Sequence, residues 1–284
     1  MDYLDERVEN LKEASLQIKK DLLALCSRKS IHIGGDLSVS DIMTVLWQYQ
    51  IKFFPSDISN EERDRFILSK GHAAAVFSLN QAAIGCFSKE DFFAEYATDG
   101  GRFSMHSCKL ANPFVEISTG SLGHGLSLGT GVAEGLRRKG NNQSRVYVVM
   151  GDGEQSEGSV WEAAMHATHY KLGNLVAIVD RNGIEADGTT EELTGILDVA
   201  EKYRAFGWNV VEINGHRIRE IVKAFDGLPE PISKTPTVIV AKTVKGNGFS
   251  FMENNVNWHA GKISDEQLAQ ALKEIQEKME SDNA

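Results

Sequence analysis

Residues 145–184 constrain the fold of this chain more than any other stretch, because they set two apolar runs on either side of one helical pattern. The first run, RVYVVM at 145–150, is short, apolar and rich in β-branched residues, as expected of a strand buried in a parallel sheet. It breaks into Gly151-Asp152-Gly153, where a glycine pair lets the backbone turn tightly and approach a ligand closely. Over 158–172, Val160, Ala163, Ala164, Ala167 and Leu172 recur at helical spacing, and Gly173-Asn174 stops the pattern. Residues 175–179 read as a second buried strand, followed by the loop Asp180-Arg181-Asn182-Gly183.

A strand–helix–strand unit of this kind is right-handed. Its two post-strand loops lie on the same edge of the sheet, where ligands bind in open α/β folds. Asp152 and Asn182 therefore converge there. A carboxylate and an amide oxygen suit a hard divalent cation such as Mg²⁺, which takes few protein ligands and completes its shell with water and phosphate oxygens. A diphosphate held by that cation could take the Gly153 N–H as a further donor. A Gly-Asp turn and an Asn-Gly turn without any ligand fit the same local pattern.

The rest of the chain repeats the alternation. Residues 5–30 read as one long amphipathic helix, 30–40 (SIHIGGDLSVS) as a glycine-containing loop, and Ser40 as the cap of a helix over 41–50. RFILS at 65–69 is a short strand. His72 falls where it hands over to a helix of small residues over 73–84, a position suited to anions. Residues 87–109 look irregular and aromatic-rich. STGSLGHG at 118–125 is Gly-rich, so a flat ring can approach its backbone; a helix over 125–139 follows and is closed by Gly140. Beyond the central unit come a helix over 198–206, a strand over 208–213, a helix over 218–225 and a last strand over 236–244. His216 reads as a loop or cap residue. Lys245 follows the last strand on the ligand edge, where it can meet a phosphate or point into solvent. Residues 263–280 form a terminal amphipathic helix. Helix alternating with strand throughout predicts an α/β fold, a parallel sheet sandwiched by helices.

Composition removes several function classes. A chain of 284 residues can bury a full α/β core, so one domain with helical extensions at both ends is expected. A net charge of −10 argues against a nucleic-acid surface. Cys26, Cys86 and Cys108 form no CxxC pair, so neither a disulfide framework nor a zinc site is expected, and a reducing cytoplasm fits. The acidic, amphipathic start MDYLDERVENLKEA is not a signal peptide. No run of about 20 strongly apolar residues is available to span a membrane.

Gly151-Asp152-Gly153, with Asn182 following in a polar loop, resembles the thiamine diphosphate signature. The finer spacing, with Glu157-Gly158 and then Glu162-Ala163, resembles transketolase. The resemblance implies that Asp152, Asn182 and the backbone carbonyl of Ile184 bind Mg²⁺, or Ca²⁺ or Mn²⁺ in its place. It implies that Gly151 and Gly153 belong to the cofactor site, and that Glu157 and Glu162 link paired cofactor sites across a subunit interface. Read without it, the two glutamates are helix-surface charges.

Further segments carry the likeness. SIHIGGDLS resembles the family's SGHxGxxLS, whose histidine faces the substrate, here His32. LSKGHAA resembles LSxGH, whose histidine lies near the diphosphate, here His72. Met105-His106-Ser107 occupies the position of a GHP segment without its Gly and Pro, which implies a substrate-facing His106 donating hydrogen bonds to developing oxyanion character on a sugar. STGSLGHG resembles TGPLGQG, with Ser121 for Pro and His124 for Gln, and implies that Gly120 and Leu122 contact the aminopyrimidine. NNVNWHAGK resembles a Trp-His-Gly segment of animal-type transketolases and implies that His259 reaches the diphosphate and the reacting substrate; many relatives carry a histidine where Val256 stands. Lys245 joins this set as a residue for the cofactor.

The resemblance runs over residues 15–262, the N-terminal half of a full transketolase. It implies a split enzyme in which a separate C-terminal subunit binds the pyrimidine, with two copies of each chain, moving a two-carbon ketol unit between sugar phosphates in the cytoplasm. The α-subunit of a thiamine-dependent 2-oxo acid dehydrogenase shares GDG and Asn, and deoxyxylulose-phosphate synthase is a second rival, but LSKGH and TGSLG favour transketolase. A non-catalytic scaffold on the cofactor fold is the reading from another class. Retention of His32, His72, His106, Asp152, Asn182 and His259 argues against it.

Overall fold

Strands β1 (Arg65–Leu68), β2 (Val146–Gly151), β3 (Leu175–Arg181), β4 (Asn209–Asn214) and β5 (Thr237–Lys242) pair in parallel into one sheet of order β1-β2-β3-β5-β4. The computed structural model describes residues 3–282. Among the described residues, ten α-helices accompany the strands: α1 (Tyr3–Cys26), α2 (Ile33–Val45), α3 (Ala74–Ala83), α4 (Lys89–Glu95), α5 (His124–Arg138), α6 (Gly158–His169), α7 (Thr190–Leu193), α8 (Val199–Ala205), α9 (Ile218–Asp226) and α10 (Asp265–Asp282). None of them is long and apolar enough to cross a membrane.

Successive strand residues face opposite sides of the sheet. Leu68, Tyr147, Val149, Ile178 and Ile239 enter a core shared with α1, α2, α3, α9 and α10. Ile67, Val148, Ala177, Val179 and Val238 enter a second core shared with α5, α6 and α8. Cover on both faces is why the strands read as unbroken apolar runs rather than alternating ones. Each fully buried Val, Leu or Ile side chain contributes roughly 1.5–3 kcal/mol relative to exposure. The register then aligns the strand ends: Gly151 pairs with Asp180, and Asp180 with Ala241. Residues 152, 182 and 243–245 leave the sheet side by side.

Two local readings are corrected. The stretch 30–40 is not a loop capped by Ser40. It is mostly helix α2, in which every residue from Ile33 to Val45 is buried, and the Ser40 hydroxyl donates to the Leu37 carbonyl at 3.0 Å. A helix buried all round shows no amphipathic period, so pattern reading finds nothing there. Its glycines serve close approach instead: a Cβ on Gly34 would lie 2.5 Å from the Trp258 carbonyl oxygen. Strand β3 also runs two residues further than its apolar core, so Asp180 is a fully buried strand residue rather than a loop residue.

Asp36, in the first turn of α2, is fully buried; its Oδ1 accepts the Val76 N–H at 3.0 Å and its Oδ2 has no partner. Burial pushes its carboxyl up to about 7, against the opposing pulls of the Val76 N–H and Lys70. The folded state therefore holds this proton at pH values where the unfolded chain has lost it. Its stabilising contribution is complete below about pH 4 and is lost as pH rises to about 7, with a slope of up to about 1.4 kcal/mol per pH unit. Asp36→Asn is expected to flatten the pH dependence of unfolding free energy across that window, as read by denaturant melts. A slope equal to the parent's would show that Asp36 is ionised in the fold.

Candidate active site

Asp152 lies at the end of β2, 2 % exposed, with its carboxylate turned toward the loop after β3. Oδ1 accepts the Gly153 N–H at 2.9 Å; Oδ2 accepts the Gly183 N–H at 2.5 Å and an Arg181 guanidinium N–H at 3.1 Å. Burial raises its pKa and nearby Asp180 adds to the rise, opposed by the Gly183 N–H and Arg181. Asn182 donates through Nδ2 to Asp180 Oδ2 at 3.1 Å and accepts the Ile184 N–H on Oδ1 at 3.1 Å. The carboxylate accepts only, so it selects the amide nitrogen and leaves the oxygen facing the loop. The Ile184 carbonyl accepts from Lys245 Nζ at 3.1 Å. Thus Asp152, Asn182 and Ile184 bring a carboxylate, an amide oxygen and a backbone carbonyl to one strand edge.

That donor set is all oxygen and suits a hard cation. Two protein cations already lie on it, Arg181 against Asp152 and Lys245 against the Ile184 carbonyl. Among the described residues no group of three or more His, Cys, Asp or Glu side chains could hold a metal. A cation here would therefore rely on the amide and carbonyl oxygens, with water and phosphate completing its shell.

Beside these oxygens stand four imidazoles from distant parts of the chain. His32, just before α2, has its ring centroid 5.5 Å from those of His72, His106 and His259, and His72 and His259 are 5.5 Å apart. Burial is the main cause that lowers His32 to about 4, with His106, Lys245 and Lys70 adding. Burial and then Lys245 bring His259 to about 4, and burial and then Lys70 hold His72 well below its ordinary value. These three rings are therefore neutral near pH 7, each with one donor and one acceptor nitrogen. His32 Nδ1 is buried without a partner, an orphaned polar atom of the kind a ligand satisfies.

Lys245 is the link between the two groups. It is 2 % exposed, which overturns the solvent-facing alternative. Its Nζ lies 3.1 Å from the Ile184 carbonyl oxygen, 2.7 Å from that of Glu185 and 3.0 Å from His259 Nδ1. An ammonium only donates, so Nδ1 accepts and the His259 proton sits on Nε2. Burial, then Lys70, lowers Lys245 to about 8, while Asp152, Asp180 and Glu185 resist.

Other sequence candidates lie at the rim. A Cβ on Gly120 would be 3.9 Å from the His106 ring, so this backbone adjoins the imidazole cluster. Leu122 is 36 % exposed, and Glu157 and Glu162 are exposed on α6 and the turn before it. Glu157 backs onto Gly123, whose φ of 83° and 2.6 Å approach to the Glu157 Cβ leave no room for a side chain.

Three residues of this edge escaped sequence reading. Lys70 and Asp180 form a buried ion pair at 2.6 Å; Lys70 also donates to the Gly35 carbonyl, and the Ser38 and Thr243 hydroxyls donate to Asp180. Burial alone would raise Asp180, but Lys70 and these donors hold it below the usual carboxylate range. Glu154 is buried and accepts from Ser69, from the Gly123 N–H at 2.8 Å and from the Gly151 N–H at 3.1 Å, tying the Gly-rich segment to the end of β2. A charged residue inside or beside a buried run, as in LVAIVDR and LSKGH, was the available signal.

A parallel sheet with oxygen donors and neutral imidazoles gathered at its strand ends places the chain among α/β domains of the thiamine diphosphate-binding fold. Residues 20–280 match the family model described as transketolase, thiamine diphosphate binding domain, and the chain belongs to that family. It is 38% identical over 277 residues to one of the two-chain-type relatives, a named subunit of the apulose-4-phosphate transketolase of Phocaeicola vulgatus, covering 96% of each chain. It is 34% identical to the 6-deoxy-6-sulfo-D-fructose transketolase subunit SqwG of Clostridium sp., covering 86% of this chain and 88% of that one. Among solved structures, the transketolase from Leishmania mexicana superposes with a TM-score of 0.84 at 28% identity, covering 95% of this chain and 41% of that one. The chain thus spans about two-fifths of the length of that solved transketolase.

Proposed function

We propose that this chain is the N-terminal, diphosphate-binding subunit of a two-chain transketolase that moves a two-carbon ketol unit from a ketose phosphate to an aldose phosphate. The observation that carries the reading is the meeting of the Asp152, Asn182 and Ile184 oxygens with the neutral imidazoles of His32, His72 and His259 at one strand edge. Asp152, Asn182 and the Ile184 carbonyl hold Mg²⁺, or Ca²⁺ or Mn²⁺ in its place. Gly151, the Gly153 N–H, His72, Lys245 and His259 serve the diphosphate, and Gly120 and Leu122 flank the aminopyrimidine. Thiamine diphosphate, when bound, supplies the carbanion chemistry. The chain's own contribution is orientation: His32, His106 and His259 offer uncharged donors to sugar oxygens in a site that excludes water.

The rest of the machinery is assigned to a C-terminal subunit that binds the pyrimidine, in a cytoplasmic assembly of two copies of each chain. Relatives of nearly the same length are themselves named as single subunits of a transketolase, which supports a partner. So do exposed apolar side chains on the packed pair α5 and α6, among them Leu128, Met165 and Tyr170, with Leu122 and Glu157 just before the two helices. Obligate interfaces commonly bury more than about 2,000 Å² and are apolar. The test is ketol transfer from ketose to aldose phosphates with Mg²⁺ and thiamine diphosphate, by this chain with and without the candidate partner. Activity is expected only in the mixture. Equal rates from the lone chain would overturn the split-enzyme reading.

A further inference from the structure

His216 sits in the turn after β4 and caps nothing, since the residue preceding α9 is Arg217. Its ring is wedged between two elements instead. Nδ1 lies 2.9 Å from a carboxylate oxygen of Asp41 on α2, and Nε2 lies 2.8 Å from the backbone nitrogen of Val244. A backbone N–H only donates, so Nε2 is the acceptor and the ring proton sits on Nδ1, donating to Asp41. One tautomer of a neutral imidazole therefore spans the gap.

Asp41 is itself fixed. It is 4 % exposed and accepts from the Ser15 hydroxyl at 2.5 Å and from Lys19 at 2.9 Å. The backbone held by the imidazole leads straight to Lys245, the next residue, whose ammonium contacts the Ile184 carbonyl and His259. On the far side of Lys245, the Gly246 N–H donates to the Gly34 carbonyl at 3.0 Å. The lysine is thus held from both sides, by α2 directly through Gly34 and by α2 indirectly through Asp41 and His216.

We propose that His216 is a positioning residue for Lys245: the Asp41–His216–Val244 bridge sets the backbone from which the lysine reaches the site. Its consequence for ligand binding rests on the proposed role of Lys245 at the diphosphate. The seating of the lysine can be read without that role.

The test uses two variants that each keep half of the imidazole. His216→Asn retains a donor for Asp41 but offers no acceptor at the Nε2 position. His216→Gln places an amide oxygen near that position and retains the bond from Val244. Competitive acetylation of the full chain, with lysines resolved by peptide mass spectrometry, reports the seating of Lys245; buried Lys70 is the internal control. Lys245 is expected to label roughly five- to tenfold faster in His216→Asn, the size of one lost hydrogen bond, and near the parent rate in His216→Gln, with Lys70 unchanged in both. An unchanged Lys245 in a folded His216→Asn chain would overturn the proposal. So would fast labelling in His216→Gln, which also decides the matter if the asparagine variant does not fold.

Titration of the same chains with magnesium pyrophosphate separates the two readings. His216→Asn should weaken binding several-fold in the parent and have no further effect on top of Lys245→Ala. An equal effect of His216→Asn in both backgrounds would overturn the coupling. Unchanged pyrophosphate affinity in Lys245→Ala would remove the lysine from the diphosphate site while leaving its positioning to the labelling result.

Discussion

Asp152→Ala is expected to weaken Mg²⁺–thiamine diphosphate binding by about 10²-fold or more in the assembled enzyme. The cation has few protein oxygens here, and the variant removes the one that carries charge. It also strands donors: the Gly153 and Gly183 N–H groups and Arg181 all point at this carboxylate. Some loss of stability, on the order of 1–3 kcal/mol, therefore accompanies the loss of affinity. Asn182→Ala is the companion, because it removes an uncharged oxygen and frees only the Asp180 and Ile184 contacts. It is expected to lower affinity with less effect on stability. Titration calorimetry with cofactor and metal, beside circular dichroism for the fold, checks both. Parent-like affinity in either folded variant would sink the metal assignment for that residue.

The second large effect falls on turnover. His32→Ala and His106→Ala are each expected to lower kcat by about 10²–10³, the typical result of removing one positioned donor, with little change in cofactor affinity. His72→Ala is expected to do the reverse, weakening the cofactor more than turnover. The structure gives a reason for treating these rings separately although they touch. His32 lies at the hub, 5.5 Å from three other imidazoles, and its Nδ1 has no partner within the protein. His72 is the more deeply buried ring, and a Cβ on Gly35 would lie 3.3 Å from it, so its surroundings are protein. Steady-state kinetics with cofactor titration distinguishes the two classes, and the opposite pattern would exchange their roles.

Much of this site could be read from the chain because its motifs are local. A buried parallel strand must be apolar throughout, and the residue that ends it must turn. VYVVM followed by Gly151-Asp152-Gly153 therefore announced both the strand and the carboxylate at its end. The histidines could be placed by the segments around them, but not brought together: nothing in SIHIGG or NWHAGK states that two rings more than 220 positions apart lie side by side. Buried charges were the least legible residues. Lys245 looked as ready for solvent as for a phosphate, because a lysine after a strand carries no mark of what will cover it.

By itself, then, the amino-acid order determined the alternating elements, the parallel sheet, and the placing of Asp152 and Asn182 at one edge. Each of these follows from periodicity within a few residues, which records the faces that must be buried. Tertiary structure alone decided that the glycines of α2 sit inside a helix, that Lys70 meets Asp180 across 110 positions, and that His216 meets Asp41 across 175. Those contacts come from how the elements stack. A buried charge is stable only where distant partners satisfy it, and a separation in space of about 3 Å leaves no period in the chain.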